Sequence, residues 1–169
     1  MRMINVSRPS FIRTEADELT YPIHILIRYE LEKEIFNGTA DYDNLDTMWN
    51  DKYEEYLGIR PENPAEGVLQ DIHWSQGSFG YFPSYALGSA FGAQLYYHMK
   101  EIMDFDSLLK DGRVDVIRDY LREHIHQYGK LKDSRQILKD VTGEDFNPEY
   151  YVRYLKEKYS RLYGLESKG

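Results

Sequence analysis

Between Gly67 and Gly88 the sequence GVLQDIHWSQGSFGYFPSYALG brings Gln70, Asp71, His73, Trp74, Gln76, Tyr81 and Tyr85 into one short stretch, with Gly77, Gly80 and Pro83 bending the backbone. An imidazole and phenol hydroxyls on a bent aromatic loop can direct several hydrogen bonds at one bound group, which a ligand-orienting site requires. The same residues also fit a buried polar corner in which Gln70 and Asp71 only tie down the loop. A second segment, FIRTEADELTY at 11–21, offers Arg13, whose planar fork matches the two oxygens of a carboxylate. Its local alternative is a surface pair with Asp17, four residues on.

Metal chemistry finds little support in the residue pattern. Glu123 and His126 form one E-x-x-H pair at helical spacing, whereas a di-metal carboxylate bundle needs a second pair and further glutamates. His124 and His126 point to different helix faces, His24 reads as a satisfied core histidine, and His98 as a bystander. The chain has no H-E-x-x-H, no G-x-S-x-G and no phosphate-cradling loop. No metal ligand is therefore expected from this chain alone. With no cysteine there is no disulfide, thiolate metal site, iron–sulfur cluster or cysteine nucleophile.

These segments must be held by helices. From Thr14 to Phe36, Leu19, Ile23, Leu26, Ile27, Leu31 and Ile35 recur at steps of three and four, closed by Gly38; the pattern is read as one continuous helix kinked at Pro22. A second helix spans DYDNLDTMWNDKYEEYLG. A third, from Pro83 to Met103, carries Ala86, Gly88, Ser89, Ala90, Gly92 and Ala93. Each internal glycine costs about 1 kcal/mol relative to alanine, so a neighbouring helix or a substrate is expected close to its backbone. Shorter periodic units follow: DFDSLLKDG, RVDVIRDYLREHIHQYG, DSRQILKDVTG, and NPEYYVRYLKEKYSRLYG with Asn147 as N-cap and Pro148 at the first helical position. The fold expected is all-α, about five to seven helices, in a single helical domain over residues 1–169. The 21 Lys and Arg against 29 Asp and Glu disfavour phosphate backbones and anionic lipids, so neither nucleic acid nor a membrane is an expected partner. No apolar run approaches the roughly 20 residues that cross a bilayer, and the chain reads as soluble and cytoplasmic.

Ile12-Arg13-Thr14-Glu15-Ala16-Asp17 fits an I-R-x-x-A-D signature, and Gly67-Val68-Leu69-Gln70-Asp71-Ile72-His73-Trp74 fits G-x-x-Q-D-x-H-W without mismatch. In these motifs the sequence resembles the Taq-type thermostable metallocarboxypeptidases, zinc peptidases that release residues from peptide C-termini. The likeness extends through Glu18-Leu19-Thr20-Tyr21, Gly80-Tyr81-Phe82-Pro83-Ser84-Tyr85 and the later REHIHQYG, VTGEDF and YLKEKYSRLYG. It covers nearly the whole chain but only the family's C-terminal third. The zinc-holding H-E-x-x-H helix and distal glutamate, with the H-P-F and D-x-R-x-T signatures, belong to the part before it. The resemblance thus implies a truncated piece without zinc ligands, zinc being implied for the full-length enzyme.

By that resemblance Arg13 grips the substrate's terminal carboxylate with Gln70 and Asp71 beside it, and His73 with Tyr85 or Tyr81 donates to the developing oxyanion. Removing one such donor typically costs about 2.7–4 kcal/mol of barrier lowering. Asp71 orients His73 through its other ring nitrogen, or serves structure alone. The partners implied are peptide C-termini, the missing N-terminal part, and a second copy in a homodimer. Two readings follow: a peptidase piece, inactive alone, that leaves an apolar surface open where the missing part docked, or a stand-alone, non-catalytic peptide-binding or protein-interaction module.

Overall fold

The computed structural model describes residues 2–165 and is all-helical; among the described residues there are seven α-helices and no strand. They are α1 (Tyr21–Asn37), α2 (Leu45–Leu57), α3 (Pro83–Ile102), α4 (Phe105–Lys110), α5 (Val114–His124), α6 (Ser134–Thr142) and α7 (Glu149–Tyr163). The chain packs as two compact units, Met1–Leu87 and Gly88–Gly169, and each is described on its own.

In the first unit α1 and α2 pair over an apolar core. Ile27 and Leu31 of α1 meet Trp49, Tyr53 and Leu57 of α2, with Phe11, Val68 and Trp74 at the margin. Trp49 and Tyr53 stack with ring centroids 5.3 Å apart. Burying Ile27 or Leu31 contributes about 1.5–3 kcal/mol each.

The continuous kinked helix over 14–36 is corrected. Arg13–Glu15 is a separate 3₁₀ turn, Ala16 is extended, and α1 starts only at Tyr21 with Pro22 in its first turn. A proline there loses no intrahelical bond, whereas four residues further in it would clash with a carbonyl. Asp17 holds the break open: its carboxylate accepts from the Ser7 hydroxyl, the Arg8 and Leu19 amides, and both the amide and hydroxyl of Thr20. Burial works to raise the Asp17 pKa, but these donors outweigh it and hold it below the ordinary value. Asp17 is thus a loop-closing residue, not the helical partner of Arg13. At its other end α1 stops where Gly38 takes φ 71° and its amide donates to the Glu34 and Ile35 carbonyls.

The second unit organises around Gln94 of α3, a fully buried amide. Its Nε2 donates to the Asp145 carbonyl at 3.1 Å and its Oε1 accepts from the Asn147 amide at 3.0 Å, fixing the α6–α7 connection against α3. The Tyr97 hydroxyl donates to Glu157 at 2.6 Å, and the Arg153 guanidinium lies 3.8 Å from the Tyr97 ring centroid. Burial and the Glu157 carboxylate push the Tyr97 pKa up to about 12. The periodic run from 113 to 129 breaks at Ile125 into α5 and a 3₁₀ turn, His126–Tyr128. Helix α7 begins at Glu149, one residue later than Pro148 suggested, with the Asn147 side chain accepting from the Glu149 amide. Among the described residues no neighbouring element presses on the two glycines of α3: a Cβ added at Gly88 or Gly92 meets nothing within 4 Å.

Candidate active site

The site is braced by a polar stripe on α1. His24, Arg28 and Glu32 follow one another at i, i+4 and i+8, and all three are buried. Arg28 is completely enclosed. Its Nε donates to Asp71 at 2.7 Å, its Nη2 to the Gln70 side-chain carbonyl at 2.8 Å, and its Nη1 to the His24 carbonyl at 2.8 Å and the Tyr53 hydroxyl at 3.3 Å. Its guanidinium also lies against Trp49 and Phe82, 4.6 and 5.4 Å from the ring centroids. Glu32 holds the far end of the same loop, accepting from the Trp74 indole at 2.9 Å and the Gly80 amide at 3.1 Å. One helix face therefore grips the 67–82 segment at two successive turns, through Arg28 and Glu32.

Arg13 closes on the same carboxylate. Its Nε donates to both Asp71 oxygens at 3.2 Å and its Nη2 to Oδ1 at 2.7 Å, while Nη1 donates to the Tyr21 hydroxyl at 3.2 Å. Burial tends to lower the Arg13 pKa, but Asp71 and Tyr21 outweigh it and the net shift is upward. Burial tends to raise the Asp71 pKa, and the two guanidiniums win, holding it low. Two buried cations share one largely buried carboxylate, and these three side chains together carry one surplus positive charge. Gln70 is fully engaged: its carbonyl accepts from the Arg13 amide and Arg28, and its Nε2 donates to the Phe11 and Glu66 carbonyls. Gln70 and Asp71 thus anchor the loop.

His73 stands above this network. Its Nε2 lies 3.1 Å from the Tyr85 hydroxyl, and its ring packs on Phe82 at 4.4 Å and on Tyr81 at 5.8 Å. The bond from Asp71 to the other ring nitrogen is not made. Asp71 Oδ1 and His73 Nδ1 are 3.8 Å apart, and Nδ1 is buried without a partner. The nearby carboxylate favours a proton on Nδ1, leaving Nε2 to accept from Tyr85. Tyr81 is half-exposed and meets the Tyr85 ring edge-on at 5.3 Å, and the Tyr85 ring covers the Arg13 guanidinium at 4.9 Å.

The structure thus gathers Arg13, Gln70, Asp71, His73, Tyr81 and Tyr85 into one place. Sequence reasoning missed Arg28 and Glu32. The signal that could have found them is a histidine, an arginine and a glutamate four apart beside the apolar positions Ile27 and Leu31. His24 also differs from the satisfied histidine expected: Nδ1 is 3.0 Å from the Tyr53 hydroxyl, but Nε2 is buried without a partner. Burial, with Arg28 and Arg13 close by, pulls its pKa down to about 4. Among the described residues no three His, Asp or Glu side chains converge as a metal ion requires, so the residues present do not fit a zinc site. Among them, too, no helix is long and apolar enough to cross a membrane.

The site is thus a bent aromatic loop of an all-helical chain, pinned by an arginine–aspartate cluster, with the two signatures at its centre. The family model described as Carboxypeptidase Taq (M32) metallopeptidase matches residues 1–159, and the chain belongs to that family. It is 54% identical over 166 residues to Carboxypeptidase 1 of Bacillus subtilis (strain 168), a match covering 98% of this chain and 33% of that protein. It is 49% identical to Thermostable carboxypeptidase 1 of Pyrococcus furiosus over 92% of this chain and 31% of the relative. The M32 carboxypeptidase of Deinococcus radiodurans R1 superposes with a TM-score of 0.91 at 32% identity, covering 96% of this chain and 33% of that one. The chain therefore spans about a third of the length of the relatives it matches.

Proposed function

We propose that this chain supplies the substrate-side groups of a metallocarboxypeptidase acting on peptide C-termini in the cytoplasm, with zinc held by residues outside it. The observation that carries the reading is the His73–Tyr85 pair set over the surplus positive charge of Arg13, Arg28 and Asp71. The Tyr85 hydroxyl turns about its C–O bond and moves its hydrogen bond from His73 Nε2 to an oxyanion. Tyr81, at the open edge, is the second donor. The bidentate edge of Arg13 is committed to Asp71, so Arg13 favours the terminal carboxylate through its field and its remaining Nη protons. Gln70 and Asp71 position the loop, and neither touches the reacting atoms in this reading.

The test replaces the matched third of the Bacillus relative by this chain, in one polypeptide, and follows release of the C-terminal residue from an N-blocked dipeptide with zinc added. The chimera is expected to be active. Tyr85→Phe is expected to lower kcat by about 100-fold or more with little change in KM, and His73→Gln, which removes the ring nitrogen that holds the Tyr85 hydroxyl, to lower kcat in the same direction. A folded, zinc-loaded chimera indifferent to both substitutions overturns the reading. So does hydrolysis by this chain alone that Arg13→Ala abolishes.

A further inference from the structure

The site loop leaves the cluster at His73 and returns to it at Tyr81, and one buried carboxylate spans that excursion. Glu32, only 5% exposed, accepts from the Trp74 indole through Oε1 at 2.9 Å and from the Gly80 amide through Oε2 at 3.1 Å. Trp74 directly follows His73, and Gly80 directly precedes Tyr81. The first half of the excursion also closes on itself: Trp74–Gln76 is a 3₁₀ turn, Gly77 takes φ 73°, and the Ser78 amide donates to the His73 carbonyl at 2.8 Å. The second half has no such tie. Among the described residues no amide from 79 to 82 donates to a backbone carbonyl, so the bond from Gly80 to Glu32 is what fixes the main chain there. Packing does not replace it at the residue that matters. Phe82 is enclosed against His73 and Trp74, but Tyr81 is 50% exposed, with its ring 5.8 Å from that of His73 and 5.3 Å from that of Tyr85. A half-exposed phenol takes its aim from the main chain behind it.

We propose that Glu32 is a positioning residue for the peptidase reaction: by joining the two ends of the 74–80 excursion it sets the Tyr81 hydroxyl beside the His73–Tyr85 pair, so that both phenols reach one oxyanion. This rests on the carboxypeptidase reading and deepens it, since Glu32 itself touches no reacting atom. The residue type follows from the geometry. An indole N–H and a backbone N–H only donate, so two of them converging on one side chain need an acceptor at each of its ends. A glutamine of the same shape accepts at one end and turns its NH₂ group on the other donor. Misplacing a reacting group by about 1 Å costs on the order of 100-fold in rate.

The experiment uses the zinc-loaded chimera, assayed well below the melting midpoint of every variant. Glu32→Gln is expected to lower kcat by about 10- to 100-fold with KM held within about 3-fold. Tyr81→Phe is expected to lower kcat at least as far. Adding Glu32→Gln to it should take away no more than about 2-fold further, because no hydroxyl is left to aim. Where the glutamine variant does not fold, Glu32→Asp carries the same test: it keeps an acceptor for each donor but withdraws both by one methylene, and its loss in kcat should likewise vanish beside Tyr81→Phe. Hydrogen exchange over residues 77–82, read on the metal-free chimera, should quicken by about 10-fold or more in Glu32→Gln. A merely structural Glu32 would lower the melting midpoint and leave the kcat of the folded protein alone. An unchanged kcat, a loss carried by KM, a loss that adds in full to Tyr81→Phe, or unaltered exchange overturns the proposal. Failure here is separable from failure of the carboxypeptidase reading, which is tested by Tyr85→Phe and His73→Gln in the same chimera.

Discussion

Helices α1 and α5 carry the periodic apolar residues of amphipathic helices, yet they end in opposite situations. Helix α5 has Val114, Ile117 and Leu121 on one side and charges on the other, and buries no residue completely. Helix α1 buries His24, Arg28 and Glu32 together with Ile25, Ile27 and Leu31, and leaves Leu26, Tyr29 and Phe36 outside. Apolar and polar residues segregate far more sharply on α5 than on α1, yet it is α1 that is buried, so periodicity ranks their burial wrongly. Charge can be enclosed where every proton and lone pair has a partner, and the loops around α1 supply those partners while α5 has none to enclose.

The comparison breaks most sharply at Asp71. Asp71→Asn leaves Arg13 and Arg28 enclosed without a counter-charge, and loss of one partner of a buried pair costs about 3–5 kcal/mol. Urea denaturation should show that loss, whereas Asp119→Asn on the exposed face of α5 should change the unfolding free energy by less than about 0.5 kcal/mol. A near-neutral Asp71→Asn would mean that the cluster does not hold the first unit together.

Acid separates the two regions next. The His24 pKa falls from an ordinary 6.5 to about 4 in the folded chain. The unfolded chain therefore binds the proton first: stability from His24 is complete above pH 6.5, declines as the pH falls, and is gone near pH 4. The integrated loss is about 3 kcal/mol. Urea midpoints across this range should flatten in His24→Gln, and the difference between the two proteins isolates His24 from the carboxylates. Equal slopes would remove His24 from the account.

Glu32 sharpens the picture at the far end of the stripe. Glu32→Ala strips the acceptor from the Trp74 indole and the Gly80 amide and should cost about 2 kcal/mol, with a red shift of tryptophan emission as the loop loosens. The smallest expected effect lies in α3: Gly92→Ala, where the added methyl meets nothing, should stabilise this chain by up to about 1 kcal/mol in thermal melting.

The sequence was legible wherever a local rule suffices. Gly38, Gly58 and Gly143 each end a helix in the left-handed region, which a residue without Cβ adopts freely, and all three ends were readable in advance. The I-R-x-x-A-D and G-x-x-Q-D-x-H-W segments were readable as family signatures and do come together. Their internal wiring was not. Arg13 had a candidate partner four residues away in Asp17 and took one 58 residues away in Asp71. Asp71 was expected on His73 and was claimed by two arginines.

By itself, then, the sequence determined that this chain is helical, where most of its helices end, which family it belongs to and which side chains gather at its site. Only the tertiary structure decided that Arg28 and Glu32 are the buried braces of that site, that Pro22 opens a helix instead of kinking one, and that the outward face of α1 is apolar. Helix ends and signatures depend on neighbours along the chain. The placement of a buried charge depends on partners tens of residues away, whose hydrogen bonds together offset a desolvation cost that no local pattern records.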